Sequence, residues 1–264
     1  MKFIQLLKAS ICLIVLLLVS ACGIFGDPDV KNVESLIQEI GQVTLDSREA
    51  IETAKSAYDS LTQKEKDQVD CFEILSNAKD EYVFLFSKSI YDDVTEAESI
   101  IKKYLDDYQD AWHFGIFGDS NDEITVDGLV NEVNINLDEL NYAVTELAKE
   151  ADWEELDIEI IDLLYEDEFS WGLWIIEKVY DYRGDLVEAE GMLSNARKNL
   201  KLLEKDYPDY MFYQGLVDYY SKENSYFGFA IDPTGSYNSF TETVSDYEKT
   251  LEDLRTQLEF TFGD

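Results

Sequence analysis

The sequence contains few of the residues that build metal centres, nucleophilic active sites and compact β folds. It has one histidine and three cysteines, whereas a zinc site needs several imidazole or thiolate ligands. His113 directly follows Trp112 in a helical pattern, so we interpret it as a helix-end residue. Three prolines and 13 glycines provide little material for the turns of a β-sandwich or barrel. The composition therefore favours helices.

Basic residues are also scarce, and their scarcity bears on partners. The 264 residues include 21 Lys+Arg against 57 Asp+Glu, a formal charge of −36. Affinity for nucleic acid comes from Lys and Arg at the phosphates, so a nucleic-acid partner is excluded. At 45% apolar and 13% aromatic residues, the chain is also unlike an acidic disordered protein. We expect one or two folded domains.

The N-terminus predicts a cellular location. Lys2 and Lys8 precede an apolar run that ends in Val19-Ser20-Ala21-Cys22, the order of parts in a signal peptide. These four residues resemble the lipobox of bacterial lipoproteins. The resemblance implies cleavage after residue 21 and a diacylglyceryl group on Cys22, with 22–30 as anchor and spacer. An uncleaved anchor helix and an ordinary secreted protein are the alternatives.

Processing would also remove Cys12 with the signal peptide. Cys22 would then carry lipid and Cys71 would have no partner, so we expect no intrachain disulfide. The charge of the mature chain would be 19 − 57 = −38.

Residues 31–87 predict a small three-helix module. Gly41 is placed to end a first helix, Asp46–Glu49 offers an N-cap, and Thr62–Glu65 has the capping-box pattern. The segment resembles a helical module that is repeated in surface proteins of Gram-positive Firmicutes. The residues that carry the resemblance are Val33–Ile37, Ile40-Gly41, Val43–Ser47, Ala50-Ile51 and Ala57–Thr62. The resemblance implies a cell-surface setting and a spacer or interaction role, without catalytic residues.

Residues 88–264 show apolar side chains at alternating steps of three and four in four runs: Ile90–Ala111, Val130–Ala151, Ile175–Tyr207 and Phe240–Leu258. This pattern predicts an antiparallel four-helix bundle packed like a coiled coil, and thus an all-α protein. The triplet Arg183-Gly184-Asp185 would lie flat inside the third helix rather than at a loop tip. Residues 114–128, 152–170 and 209–239 are predicted connections.

Aromatic residues in and near two of these connections are the candidate ligand site. An exposed platform for glycans or peptides would use Trp171, Trp174, Tyr213, Tyr220 and Phe227. In the other interpretation, these rings and Trp153 close the ends of the bundle as core.

The segment beginning at Asp119 has the spacing of a calcium loop, with Asn121 and Glu123 as further ligands. Ile124 replaces the glycine of the EF-hand and Val130 replaces its last glutamate, so the EF-hand interpretation fails. A weak, irregular Ca²⁺ site and a solvated acidic loop remain as alternatives. We predict no cofactor and name no catalytic residue, because among 57 acids none stands out.

The sequence therefore predicts a lipid-anchored protein at the extracellular face of a bacterial cell membrane, with a non-enzymatic binding or scaffolding role. Its partner would be an envelope protein or a glycan, and its oligomeric state is left open. The first alternative is a ligand-capture or sensor lipoprotein that uses the 209–239 connection. A carboxylate-dependent glycan hydrolase ranks last.

Overall fold

A computed structural model describes residues 27–117, 129–130, 133–150 and 170–263. All regular secondary structure in these ranges is helical, which confirms the predicted all-α class. The chain divides into two compact units, residues 1–86 and 87–264. None of the described helices combines the length and the apolar character needed to cross a membrane. Cys22 and the lipobox lie outside the described residues.

In the first unit, α1 (Pro28–Glu39), a 3₁₀ turn (Leu45–Ser47), α2 (Arg48–Ser60) and α3 (Gln63–Lys66) follow one another. Asp27 caps α1 by accepting a hydrogen bond from the Asp29 amide at 3.0 Å, and Pro28 occupies its first turn. Helix α1 therefore begins inside the predicted 22–30 anchor and spacer segment.

Two local predictions for the first unit are confirmed. Gly41 has φ +61°, just after α1 ends, where a glycine avoids the strain of left-handed backbone. Thr62 and Glu65 form both hydrogen bonds of the capping box that opens α3. The apolar faces of these helices meet in a core that includes Val33, Ile37 and Ile51, each 1% exposed.

Six helices form the rest of the described structure: α4 (Phe72–Phe117), α5 (Leu137–Glu150), α6 (Ser170–Arg183), α7 (Asp185–Asp206), α8 (Tyr213–Ile231) and α9 (Tyr237–Phe262). The part of α4 up to Phe86 belongs to the first unit. The predicted boundary at 87/88 thus lies within one continuous helix.

In the second unit, α4 is the central helix. Its side chains reach four other helices through the pairs Tyr104–Tyr180 on α6, Asp93–Asn195 on α7, Thr95–Tyr219 on α8 and Tyr108–Phe240 on α9. Helix α5 packs on α6, and α8 packs between α7 and α9. The predicted apolar runs supply much of this core, but Leu137 and Tyr182 are 71% and 50% exposed.

The third predicted helix is two helices. Gly184 has φ +76° and separates α6 from α7, so the prediction of one unbroken helix from Ile175 to Tyr207 is wrong. Left-handed backbone at a single glycine changes the direction of the chain without a loop. Arg183 donates two hydrogen bonds to the Glu139 carboxylate, at 2.7 and 2.9 Å, so its guanidinium ties α6 to α5.

The 209–239 segment is mostly helix rather than connection. Helix α8 is 19 residues long and only Asp232–Ser236 forms a loop before α9, so the prediction of a connection is wrong over most of this segment. The buried positions of α8 are Leu216, Tyr219, Glu223, Tyr226 and Ala230. Their spacing is helical, but a glutamate in the middle disguises the apolar stripe in the sequence.

Candidate functional site

A groove of about 440 Å³ lies on the second unit where four helices come together. Its walls come from α4, α6, the first turns of α7, and the end of α8 with the loop that follows. The lining residues are Tyr104, Tyr108, Trp174, Glu177, Asp181, Leu186, Val187, Glu190, Phe227, Ile231, Asp232 and Pro233. A concavity of this volume is within the range of small-molecule sites.

Helical geometry explains how α6 and α7 build two of the walls. Trp174, Glu177 and Asp181 are three and four residues apart, so they share one face of α6. The break at Gly184 then redirects the chain, and Val187 and Glu190 from α7 line the same groove. In a straight helix through residue 184, Val187 and Glu190 would face away from the side of the helix that carries Trp174, Glu177 and Asp181.

The aromatic part of the groove rests on a buried support. Trp174 is 42% exposed, and its ring packs edge-to-face on Trp171 with 5.1 Å between the centroids. Trp171 is itself 8% exposed, so the core fixes the partner that orients the exposed indole. Ile231 and Val187 add exposed apolar surface, at 58% and 72%. The groove therefore presents ordered apolar surface to solvent.

The charged part of the groove has one sign. Glu177, Asp181, Glu190 and Asp232 line it, and no lysine, arginine or histidine does among the residues that the structure describes. Lys178 is nearby, but its ammonium lies 2.6 Å from Glu150 and 3.9 Å from Asp181. Lys178 is therefore within ion-pair distance of one groove carboxylate, Asp181, and its charge also acts on Glu177.

The tyrosines of the groove respond to this charge. Burial, reinforced by the negative charge of Glu177, raises the pKa of Tyr108 to about 12. The pKa of Tyr104 is also raised, by burial first and then by Tyr108, Glu177 and Asp181. Partial burial raises the pKa of Glu177; the charge of Lys178 opposes this increase, and that of Asp181 adds to it. The groove is thus a site of negative potential next to low-dielectric walls.

The structure brings together two of the five aromatic residues that the sequence proposed as a platform. Trp174 and Phe227 line the groove, and Trp171 supports Trp174 from the core side. Tyr220 instead donates a hydrogen bond to Asn224 at 3.3 Å on α8. Tyr213 also does not line the groove; partial burial, and then the nearby Glu204, raise the pKa of its phenol.

Sequence reasoning missed a buried polar cluster that joins α4, α8 and α9. Glu98 is 6% exposed and accepts hydrogen bonds from the Tyr219 hydroxyl and from Arg255, the latter at 3.0 Å. Glu223 is 0% exposed, and neither of its carboxylate oxygens has a partner among the described residues. Burial, with a smaller contribution from the charge of Glu98, raises the pKa of Glu223 to about 9.

This buried pair of acids differs from the acid pair of a glycosidase. Two carboxylates that cleave a glycan must flank the bond that is broken, whereas Glu98 and Glu223 lie inside the unit with almost no exposed surface. We therefore assign the cluster to the core of the second unit rather than to hydrolysis. In the structure, Glu223 falls on the buried side of α8, but in the sequence nothing separates it from the other acids.

Two further groups of acids were considered as cation ligands. Asp119, Asn121 and Glu123, the proposed calcium ligands, lie outside the described residues. In the first unit, carboxylate oxygens of Asp27, Asp29 and Glu65 lie within 4.8 Å of one another. Two of these groups already cap helices, since Asp27 accepts from Asp29 and Glu65 accepts from the Thr62 amide at 2.7 Å.

A second concavity, of about 380 Å³, lies on the first unit. Its lining residues are Leu36, Glu39, Asp46, Glu49, Ala50 and Thr53. Its described lining residues include no aromatic side chain, so they offer little apolar surface to a ligand. His113, the single histidine, is exposed on α4 and packs against Phe117 and Tyr237, with ring centroids 5.0 and 6.0 Å away.

No family model, curated protein or solved structure matches this chain. The residues and geometry of the groove therefore carry the functional argument by themselves.

Proposed function

We propose that this protein is a lipid-anchored ligand-binding protein at the extracellular face of a bacterial cell membrane, and that the groove on the second unit is its binding site. The observation that carries the proposal is the meeting of Trp174 and Phe227 with four carboxylates in one concavity. An apolar concave surface with a few convergent polar groups is the usual form of a small-molecule site.

The anchor is the second part of the proposal and depends on Val19-Ser20-Ala21-Cys22. Two acyl chains on Cys22 would provide the stable anchoring that one chain does not. Cys22→Ala should therefore release the protein from the membrane or leave the signal peptide uncut. A variant that is still cleaved and still membrane-bound would contradict the lipoprotein assignment and would leave the groove untouched.

We also propose how the helices are grouped. In the second unit, α4, α6 with α7, α8 and α9 would be the four members of a bundle, with α5 added against α6. The support is the central position of α4, whose side chains contact each of the other members. The separate three-helix module, predicted for residues 31–87, would include α1 from Pro28 onward, and residues 22–27 would link it to the lipid.

Ligand capture explains the groove better than a purely scaffolding role. A scaffold needs exposed surface but has no use for an indole held in place by a second, buried indole. Trp174 is both exposed and supported in this way, which is the arrangement expected of a preorganised binding residue. Scaffolding through other surfaces is the result to expect if no small ligand occupies the groove.

The proposal is tested by binding measurements on a probe set that differs in charge. We would titrate the full chain in mild detergent with 1,8-diaminooctane, 1,8-octanediol and suberate, and compare wild type with Trp174→Ala and Tyr182→Ala. Tyr182 is an exposed ring on the same helix that does not line the groove. We expect at least one probe to lose affinity about tenfold in Trp174→Ala only. If binding of all three is absent or independent of Trp174, the groove is not the site.

A further inference from the structure

The charge and shape of the groove define the class of ligand. We infer that it binds an organic polycation, an aliphatic chain that carries two or more ammonium groups. The inference rests on the proposed function and adds the chemical class of the ligand to it.

The charge of the groove is complementary to that of a cationic ligand. In the described part of the chain, four carboxylates line the groove and no cationic side chain does. Within the described residues, no lysine or arginine nitrogen lies within 4 Å of the Glu177, Glu190 or Asp232 carboxylates. An anionic ligand would meet like charge on several sides, and a neutral ligand would leave the carboxylates in a less hydrated site without counter-charges. A ligand with several positive charges satisfies them.

Apolar surface lies between the carboxylates of the groove. A compact inorganic cation would use the acids and leave Trp174, Phe227 and Ile231 without a function. Methylene groups can pack on these side chains, and ammonium groups are attracted to the faces of aromatic rings. The same contact already occurs elsewhere in this unit, where the Lys222 ammonium lies 4.0 Å from the centroid of the Tyr247 ring.

The volume of the groove favours a small ligand. A volume of about 440 Å³ accommodates a small molecule but only a side chain or two of a folded partner. An aliphatic chain with terminal ammonium groups can place its middle on Trp174 while its ends reach separate carboxylates. Such a ligand uses both kinds of surface in the groove at once.

The test uses three probes that share one eight-carbon chain and differ only in the charge of their ends. Calorimetric titration of the full chain in detergent would compare 1,8-diaminooctane, 1,8-octanediol and suberate at constant ionic strength, with MgCl₂ as an inorganic dication. We expect the diamine to bind, the diol and suberate to bind at least tenfold more weakly, and Mg²⁺ to compete poorly with the diamine.

Matched variants separate the groove from the acidic surface in general. Glu177→Gln with Asp181→Asn removes two charges from the groove, and Glu188→Gln with Glu252→Gln removes two exposed charges outside it. We expect the groove pair to weaken diamine binding tenfold or more and the control pair to weaken it less than threefold. Melting temperatures of all variants confirm folding, and Trp174→Phe should retain more affinity than Trp174→Ala.

The results distinguish the inference from the proposed function. Equal weakening by the two charge pairs would mean that the diamine is attracted by the whole surface, and the inference would be wrong. Trp174-dependent binding of the diol or suberate, without a response to the charge variants, would overturn the polycation class but support the groove as a site. The absence of Trp174-dependent binding for every probe would overturn both.

Discussion

The second unit contains two sets of carboxylates in opposite environments. In the groove, Glu177, Asp181, Glu190 and Asp232 share one exposed concavity, and its described lining residues include no cation. In the core, Glu98 is held by Tyr219 and Arg255, and Glu223 is shielded from solvent with a raised pKa. The core thus satisfies or neutralises its acids within the chain, whereas the groove leaves its acids to an external partner.

Helix α8 takes part in both sets, and this explains how they remain separate. Tyr219, Glu223 and Tyr226 are at spacings of four and three, and all are 0% exposed. Phe227 and Ile231 are on a different side and line the groove. The polar cluster fixes the orientation of the helix, and that orientation determines which rings face outward. Disturbing the core acids should therefore affect stability, and disturbing the groove acids should affect binding.

The largest effect on stability is expected from Glu223→Gln. The folded pKa of Glu223 is about 9, against an ordinary value of 4.5, so the folded state keeps a proton that the unfolded state loses. The contribution of this group to the free energy of unfolding is complete below pH 4.5 and falls as the pH rises to 9, by about 1.4 kcal/mol per pH unit at most. Glutamine resembles the protonated acid and does not ionise, so the variant should be more stable by about 2–4 kcal/mol at pH 8.

Denaturant unfolding of wild type and Glu223→Gln at pH 5, 6.5 and 8 measures this difference. The two proteins should be close in stability at pH 5 and should diverge as the pH rises. Glu252→Gln is the matched control, because it removes the same charge from an exposed position on α9. Parallel stability profiles for Glu223→Gln and wild type would show that Glu223 ionises normally in the folded chain.

Tyr219→Phe is expected to have the next largest effect. The substitution keeps the ring in the core but removes the hydroxyl that donates to Glu98. Loss of a hydrogen-bond donor to a buried acid lowers the free energy of unfolding by about 1–3 kcal/mol. Tyr220→Phe on the same helix removes a hydroxyl whose partner is exposed, and its cost should be below about 0.5 kcal/mol. Chemical denaturation at pH 7 compares the two variants. Equal losses in the free energy of unfolding would show that the hydrogen bond from Tyr219 to Glu98 does not stabilise the fold.

Alanine substitution at Gly184, between α6 and α7, and at Gly191, within α7, should change stability in opposite directions. Gly184→Ala places a Cβ on a residue with φ +76° and should destabilise the unit by about 1–2 kcal/mol. Gly191 is in the middle of α7 with open space around it, so Gly191→Ala should stabilise by about 0.5–1 kcal/mol. Thermal unfolding measures both. Because Gly184 also places α7 against the groove, its variant alone should weaken diamine binding.

The smallest effect on stability is expected in the groove itself. Asp181→Asn removes a charge from an exposed side chain whose nearest ammonium is 3.9 Å away, so the free energy of unfolding should change by less than about 0.5 kcal/mol. Diamine affinity should fall in the same variant. A large loss of stability would mean that the groove acids are structural, and the contrast with the core would fail.

Much of the helical fold could be predicted from the spacing of apolar residues. Runs such as Phe240, Val244, Leu251 and Leu258 were expected on one face of a helix and are buried in the structure. This works because a helix repeats every 3.6 residues and one stripe must be buried. It failed at Gly184, because Tyr182 and Leu186 keep the spacing across a position where the backbone is left-handed.

The candidate site could be predicted only in part. Trp174 and Phe227 were recognised as aromatic residues with a possible binding role, but they are 53 positions apart (227 − 174), and no local pattern indicates that they meet. The groove acids were hidden among 57 similar residues, since their distinction comes from tertiary position and not from spacing. Glu223 was overlooked for the same reason, because burial alone makes it unlike other acids.

The most direct test of the groove as a polycation site is to map where a diamine binds to the protein. Coupling of 1,8-diaminooctane to carboxylates with a water-soluble carbodiimide, followed by peptide mass spectrometry, identifies the acids that a bound ammonium touches. We predict that at limiting diamine the adducts concentrate on Glu177, Asp181, Glu190 and Asp232, and that Trp174→Ala disperses them. Adducts spread evenly over the exposed acids of both units, unchanged by Trp174→Ala, would contradict the assignment of the groove as the binding site.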